Sequence, residues 1–322
     1  MELANKRVLV TGGAGAVGNN LVRRLLEIGV ASVVVLDDLS SGAADALPDD
    51  PAVRLIEGSV RDEELLDKIF AGEEPQVVFH LAAHFANQNS VDHPIADLET
   101  NAGGTVALLT RSVKNGVERF IYTSSSCVYP HTEEPFDDAW APTAHDTPYT
   151  VSKGVAELYT KFYHEHDKLP VVILRLFNSF GPGEFPGKYR NVIPNFLRLA
   201  LQGKPLPITG TGQERRTFTY VMDTVDMMIG LAQKDEAIGG TFNLASTNDI
   251  TVQDLADIIN RLTENTAGVE YLPARSWDKV KVRRAKLDRV RELLGALPNT
   301  PLEEGLKETI AWAKQFPQKF LV

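Results

Sequence analysis

Tyr149 and Lys153 stand four residues apart in Pro148-Tyr149-Thr150-Val151-Ser152-Lys153. On a helix that spacing places both on one face, one turn apart, and Pro148 suits a first helical turn. A phenol titrates near about 10 in water. A neighbouring ammonium or other positive charge favours the phenolate and draws that value down. The pair would then supply a base able to take a proton from an alcohol at neutral pH. Such pairs are frequent on helices by chance, so the spacing carries weight only in context. Ser124, Ser125 and Ser126 follow the β-like run Arg119–Thr123. The C-terminal end of a strand is where open α/β sheets bind ligands, so a hydroxyl there could hold a reacting oxygen. A polar turn after a strand has the same composition.

The element that gives these residues context lies at the start of the chain. Val8-Leu9-Val10-Thr11-Gly12-Gly13-Ala14-Gly15-Ala16-Val17-Gly18 is an apolar run meeting a glycine-rich turn, and the amphipathic stretch Asn19–Ile28 follows. The order is strand, tight loop, helix. It holds G-x-G-x-x-G at Gly13, Gly15 and Gly18, and G-x-x-G-x-x-G at Gly12, Gly15 and Gly18. Side chains at these places would block the turn, the approach of a pyrophosphate, or the contact of helix with strand. The helix N-terminus offers unpaired N–H groups to phosphate. Asp37 follows the second strand, nineteen residues beyond Gly18. An acid there can accept hydrogen bonds from adenosine ribose hydroxyls and would repel a 2′-phosphate, which favours NAD over NADP. The plainer alternative is that Asp37 or Asp38 caps the next turn.

Strand-like runs at Arg7–Thr11, Ser32–Leu36, Val53–Ile56, Gln76–Leu81, Arg119–Thr123 and Val171–Leu176 alternate with the helical segments Glu63–Phe70, Ile95–Lys114 and Pro148–His166. This predicts an α/β fold, a Rossmann-like doubly wound parallel sheet covered on both faces. Residues 1–176 are expected to form the cofactor-binding domain, with 213–245 returning to it. Residues 177–322 are expected to form a smaller C-terminal α/β substrate domain. There, Asn178–Arg190 reads as a long loop, Val192–Leu201 as a helix, and Thr217–Val221 as an extended run before a helix from Asp223. A strand is expected at Thr241–Leu244, and helices at Val252–Leu262 and Leu302–Phe316.

The 322 residues carry 43 acidic and 33 basic side chains, a formal charge of −10, with no basic footprint for nucleic acid. One cysteine excludes an internal disulfide and a cysteine zinc cluster. The histidines show no metal-type spacing, and His80, at a strand end, is expected to be structural. The run Val30–Leu36 is too short to span a bilayer. No signal peptide is read before the first strand. The expectation is a soluble, cytoplasmic protein that binds no membrane and no metal.

Together these residues resemble the extended short-chain dehydrogenases/reductases of the NAD-dependent nucleotide-sugar epimerase/dehydratase family. They are most like its UDP-galactose/UDP-N-acetylglucosamine 4-epimerases. The resemblance covers nearly the whole chain. It is carried by the glycine loop, His80-Leu81-Ala82-Ala83, Asn101 before Gly103-Gly104-Thr105, Thr123 to Pro130, Tyr149 with Lys153, Leu174-Arg175-Leu176-Phe177-Asn178, Gly181-Pro182-Gly183, and Gly210 to Asp223. It implies that Gly12, Gly15, Ala16, Val17, Gly18, Asp37 and Asp38 hold NAD. Ser59, Val60, Leu81, Ala82, Ala83, Asn101 and Ser124 would line the cofactor. Ser125 would be the catalytic hydroxyl, Tyr149 the base, and Lys153 the ligand of the nicotinamide ribose. Asn178, Asn191 and Leu206 would contact the nucleotide sugar, Arg216 and Arg275 its diphosphate, and Asp278 its ribose. A homodimer through helices near Ile95–Lys114 and Pro148–His166 is implied as well.

Three departures narrow the expectation. The family usually has Asp where Ser59 stands, which removes one expected hydrogen bond to the cofactor's adenine, and many uridine-binding relatives have an aromatic ring where Thr209 stands, so the substrate's base is open. Dehydratases carry an acid pair after the catalytic hydroxyl, where this chain has Ser126 and Cys127. Ser-Cys-Val-Tyr-Pro also resembles the Ser-Cys-Ile-Tyr-Pro of GDP-sugar 3,5-epimerases, in which cysteine is a base at carbon. Those enzymes need a second acid, Lys or His, where Asn191 stands here. Cys127 thus reads first as a small buried residue and second as a base. The expected activity is 4-epimerisation. Its rivals are 3,5-epimerisation, dehydration or decarboxylation on the same scaffold, and a non-catalytic NAD sensor.

Overall fold

The computed structural model describes residues 1–274 and 280–321. Seven strands form one parallel sheet: β1 (Arg7–Thr11), β2 (Ser32–Asp37), β3 (Val53–Glu57), β4 (Val77–His80), β5 (Arg119–Ser125), β6 (Val171–Leu176) and β7 (Thr241–Leu244). Their order is β7-β6-β5-β4-β1-β2-β3. The chain winds outward from β1 to β3, then returns and winds the other way from β4. That reversal opens a crevice at the strands' C-terminal ends, between β1 and β4.

Consecutive apolar residues in these strands reflect two covered faces, because neighbouring side chains point to opposite sides of a strand. Val8, Val10, Val35, Phe79 and Leu174 join the core on one side, and Leu9, Val34, Val78, Phe120 and Ile173 the core on the other. Each such burial contributes about 1.5–3 kcal/mol over exposure. A third core, with Phe196, Leu206, Ile208, Leu255, Ile259 and Ile310, belongs to the C-terminal part. Helices Val192–Leu201, Val252–Thr263 and Leu302–Ala313 enclose it with the paired strands Leu206–Thr209 and Val269–Leu272. β7 pairs with β6, so residues from the second half of the chain complete the sheet of the first.

Several boundaries differ from the sequence expectation. The helix after the glycine loop begins at Ala16, with Gly15 as its N-cap. The expected helix Ile95–Lys114 is divided into Pro94–Leu98, a π-helical turn Glu99–Gly103, and Gly104–Lys114. The widened turn keeps buried Asn101 satisfied: it accepts from His84 N–H at 2.8 Å and donates to Asp97 at 2.8 Å and Ser152 at 3.1 Å. A Cβ on Gly104 would fall 2.5 Å from Val60, so only glycine allows this approach. The loop Asn178–Arg190 contains a two-residue strand, Ser179–Phe180, paired with Thr219–Tyr220. The helix expected from Asp223 starts at Val221. The last helix ends at Ala313, and Pro317 opens another turn. Arg215–Arg216, Ile250–Thr251 and Val282–Arg283 form a small sheet whose strands are too short for alternation to reveal them. Among the described residues no helix is long and apolar enough to cross a membrane.

Candidate active site

A cavity of about 800 Å³ lies along the C-terminal strand ends and continues against the C-terminal part. Gly12, Gly15, Ala16 and Val17 line its inner end. Gly12 has φ +71°, and a Cβ there would lie 2.6 Å from Ala82 N. Gly18 does not line the cavity; it seats the helix on the loop, since a Cβ would come 2.2 Å from Gly12 O. No side chain caps Gly15, which leaves first-turn N–H groups for an anion. Asp37, Asp38, Ser59, Val60, Leu81, Ala82 and Ala83 line the same end. Asp37 accepts from Ala14 N–H and Leu39 N–H, both at 2.9 Å, so it also pins its own turn. Burial raises its pKa and those two bonds oppose the rise. Ser124, at the end of β5, has a buried hydroxyl with no partner among the described residues, and it too lines the cavity. Glycines that exclude a Cβ, an uncapped helix start, an acid after β2 and an unpartnered hydroxyl fit a dinucleotide.

The helix Pro148–Asp167 presents Tyr149 and Lys153. Thr147 caps it in a capping box with Thr150, and Pro148 occupies its first turn. Tyr149 is buried, edge-on to Phe85. Burial pushes its phenol up and Cys127 adds to this, while Ser125 and Arg283 act downward. Lys153 donates to Thr123 O at 2.9 Å and lies 5.1 Å from the centre of the Tyr122 ring. Burial brings its pKa down to about 8, against the opposing pull of Asp97 and Glu157. The ammonium is thus tied to the backbone of β5.

Cys127 is half-buried and faces the cavity in polar company. Its Sγ accepts from Arg283 Nη1 at 3.0 Å and Asn87 Nδ2 at 3.7 Å, and its N–H donates to Ser125 Oγ at 3.2 Å. Burial raises the thiol, but Arg283, Ser125 and Asn87 outweigh it and hold the thiol below its ordinary value. This is not the passive core residue that the sequence first suggests.

Arg283 was not legible as a site residue. The parallel pairing Arg283↔Arg216 sets the two arginines side by side, and both line the cavity. Asn178 and Asn191 line it as well; Asn178 donates to Thr217 O at 2.8 Å. Leu206 is fully buried in the third core, and strand alternation turns its neighbours Pro207 and Thr209 to the cavity instead. Asn101 sits behind the wall, holding the His84 backbone. Arg275 and Asp278 lie outside the described residues. His80 is clamped between Thr11 Oγ1 at 2.7 Å and Thr105 Oγ1 at 2.9 Å. Burial and Lys153 lower its pKa to about 3, so it is neutral and structural.

Residues 8–245 match the model of the NAD dependent epimerase/dehydratase family. The chain belongs to that family. A UDP-N-acetyl-alpha-D-glucosaminuronate decarboxylase of Bacillus cytotoxicus is 32% identical over 322 residues, 96% of this chain and 98% of the relative. Among solved structures, an epimerase of Methanothermobacter thermautotrophicus is 45% identical, with a TM-score of 0.95 over 98% of this chain and 94% of that one. A UDP-glucose 4-epimerase of Thermotoga maritima, solved with UDP-glucose, is 32% identical, with a TM-score of 0.89 over 96% and 98%. The epimerase/dehydratase family comprises NAD-dependent nucleotide-sugar epimerases, dehydratases and decarboxylases, and NAD is its cofactor.

Proposed function

We propose that the protein is a nucleotide-sugar 4-epimerase working through a 4-keto sugar. The carrying observation is what surrounds Tyr149. Ser125 and Lys153 suit oxidation and reduction at a single carbon. Ser126 and Cys127 line the cavity, and by the resemblance they stand where dehydratases carry the acid pair that eliminates water. The 45% identity to an epimerase over 98% of the chain favours epimerisation, and the 32% identity to a UDP-glucose 4-epimerase over 96% favours carbon 4.

In this reading the glycine loop, Asp37, Asp38, Ser59, Val60, Leu81, Ala82, Ala83 and Ser124 hold NAD, and Lys153 holds its nicotinamide ribose. NAD held there would supply the hydride acceptor and donor that inversion at C4 requires. Tyr149 takes the C4 hydroxyl proton and later gives it back. Ser125 holds the reacting oxygen. Arg216 and Arg283 grip the diphosphate through planar forks of donors, with Asn178 and Asn191 beside them, so the sugar turns about a fixed anchor. Fixing the sugar against the cofactor supplies the orientation that makes the transfer fast.

The low-lying thiol of Cys127 favours one second reading, proton exchange at C3 or C5. A panel of nucleotide sugars in heavy water separates the two. A 4-epimerase inverts C4, needs no added NAD beyond its own, and puts no solvent deuterium on carbon. Deuterium at C3 or C5 in a sugar that has lost neither water nor carbon dioxide overturns the proposal in favour of Cys127. Release of carbon dioxide or loss of water overturns it in favour of decarboxylation or dehydration. No turnover with NAD bound favours a sensor.

The assembly proposed with this activity is a homodimer. Val151, Leu158, Tyr159 and Phe162 expose one apolar stripe of the helix Pro148–Asp167, and Val91, Ile95 and Leu98 are exposed on the neighbouring short helices. Sedimentation should give twice the chain mass, and Leu158→Glu with Phe162→Glu should give a monomer. A monomeric wild type, or a dimer indifferent to both changes, contradicts this.

A further inference from the structure

Glu184 is a buried acid that the proposed chemistry does not use. It is 5% exposed and lines the cavity. Close packing fixes its place. A Cβ on Gly183 would come 2.4 Å from Asn19 Nδ2, and Asn20 Nδ2 donates to Pro182 O at 2.8 Å. Both asparagines belong to the start of the helix Ala16–Ile28. On the other side, Phe185 is held against Trp312 and Phe316. The next helix, Val192–Leu201, has Asn191 as its N-cap, and Asn191 donates to the carboxyl through Nδ2 at 2.9 Å and through its backbone. Asn191 and Arg190 are the groups that act on Glu184, and Arg190 is itself hydrogen-bonded to Ser41 O.

Helix N-termini attract phosphate. The Glu184 carboxyl is held by the N-cap residue of one of them, so as a carboxylate it occupies the place of an anion and would repel one. A neutral carboxylic acid carries an O–H and can donate to a phosphate oxygen. Burial already favours that form: it raises Glu184 to about 7, against Arg190 and Asn191.

We propose that Glu184 takes part in nucleotide binding as the neutral acid, donating to a diphosphate oxygen, so that binding takes up one proton from solvent. The proposal rests on the cavity being the nucleotide site. Two ligands bring a diphosphate, the dinucleotide and the nucleotide sugar, and calorimetry separates them. UDP is titrated into the full-length protein with its own NAD in place, and NADH into the same protein freed of NAD, at pH 8 in buffers of different ionisation enthalpy. Uptake of about one proton is expected with the ligand whose diphosphate faces Glu184, and none in Glu184→Gln. Between pH 6 and pH 8 the wild type should lose about tenfold in affinity for that ligand, the fraction of neutral acid falling with each unit above about 7. Glu184→Gln should lack this tenfold component, keeping only the dependence due to Lys153 and to the terminal phosphate of UDP, and should bind more tightly at pH 8. A carboxylic-acid band appearing on binding in infrared difference spectra, and missing in Glu184→Gln, is the direct sign. No proton uptake with either ligand, or equal uptake in the variant, overturns the proposal. Failure to bind either ligand at any pH overturns the nucleotide site itself.

Discussion

Tyr149→Phe is expected to lower kcat by about 10²–10⁴-fold, the usual worth of one positioned acid–base group, while NAD remains bound at the wild-type level. The phenol oxygen is the only atom removed. The ring stays edge-on to Phe85, and Lys153 keeps its bond to Thr123 O. The pH profile gives a second readout. Burial pushes the phenol up, and a raised acid is protonated over more of the pH range, so a base in this position becomes more available as pH rises. Wild-type kcat/KM should therefore climb with pH on its acid limb, and the residual rate of the variant should not. The measurement is turnover of an accepted nucleotide sugar together with NAD content after denaturation. Near-normal turnover in Tyr149→Phe would remove Tyr149 as the base. Loss of NAD would show that the hydroxyl holds cofactor instead.

The second large effect is on stability. Arg175→Met is expected to lower the unfolding free energy by roughly 3–5 kcal/mol, the cost of leaving one member of a buried ion pair without its partner. Arg175 and Glu157 are both fully buried and meet through two parallel bonds, Nε to Oε1 at 2.9 Å and Nη2 to Oε2 at 2.7 Å. Arg175 also donates to Trp140 O at 2.9 Å and lies 4.6 Å from the Tyr129 ring centre. Replacing both charges, as in Arg175→Met with Glu157→Met, should recover most of the loss, because no unpaired charge then remains. The pair reaches the chemistry as well. Glu157 lies one turn beyond Lys153 and is one of two acids that favour its ammonium. Urea unfolding of the two single variants and the double variant tests this. A loss below about 1 kcal/mol in Arg175→Met, or a double variant worse than both singles, would refute it.

The parallel sheet was legible because burial on both faces writes itself as consecutive apolar residues. Val8-Leu9-Val10 and Val33-Val34-Val35 send alternate side chains into two cores, and no polar position interrupts them. The glycine loop was legible because contacts as short as those of Gly12 and Gly18 leave no room for another residue type. What stayed hidden was assembled over long separations. Arg283 reaches Cys127 through a two-residue strand 156 positions away. Glu157 is buried only because β6 brings Arg175 against it, a pairing that no local sequence pattern marks. Leu206 came to the ligand through the resemblance alone; its strand, Leu206–Thr209, turns it into the third core. Glu184 gave no signal, since a single acid in a Gly/Pro-rich loop looks solvated.

The place of β7 has a consequence for how the polypeptide is made. β6 ends at Leu176, yet the strand that closes its free edge begins at Thr241. During synthesis from the N-terminus, the hydrogen-bonding edge of β6 stays open until some seventy further residues have left the ribosome. An uncovered edge is a template for other chains, and long-range parallel pairing is slow to form. The nascent dinucleotide half is thus least protected while the C-terminal half is being translated. A fragment ending at residue 176 would keep that vulnerability permanently.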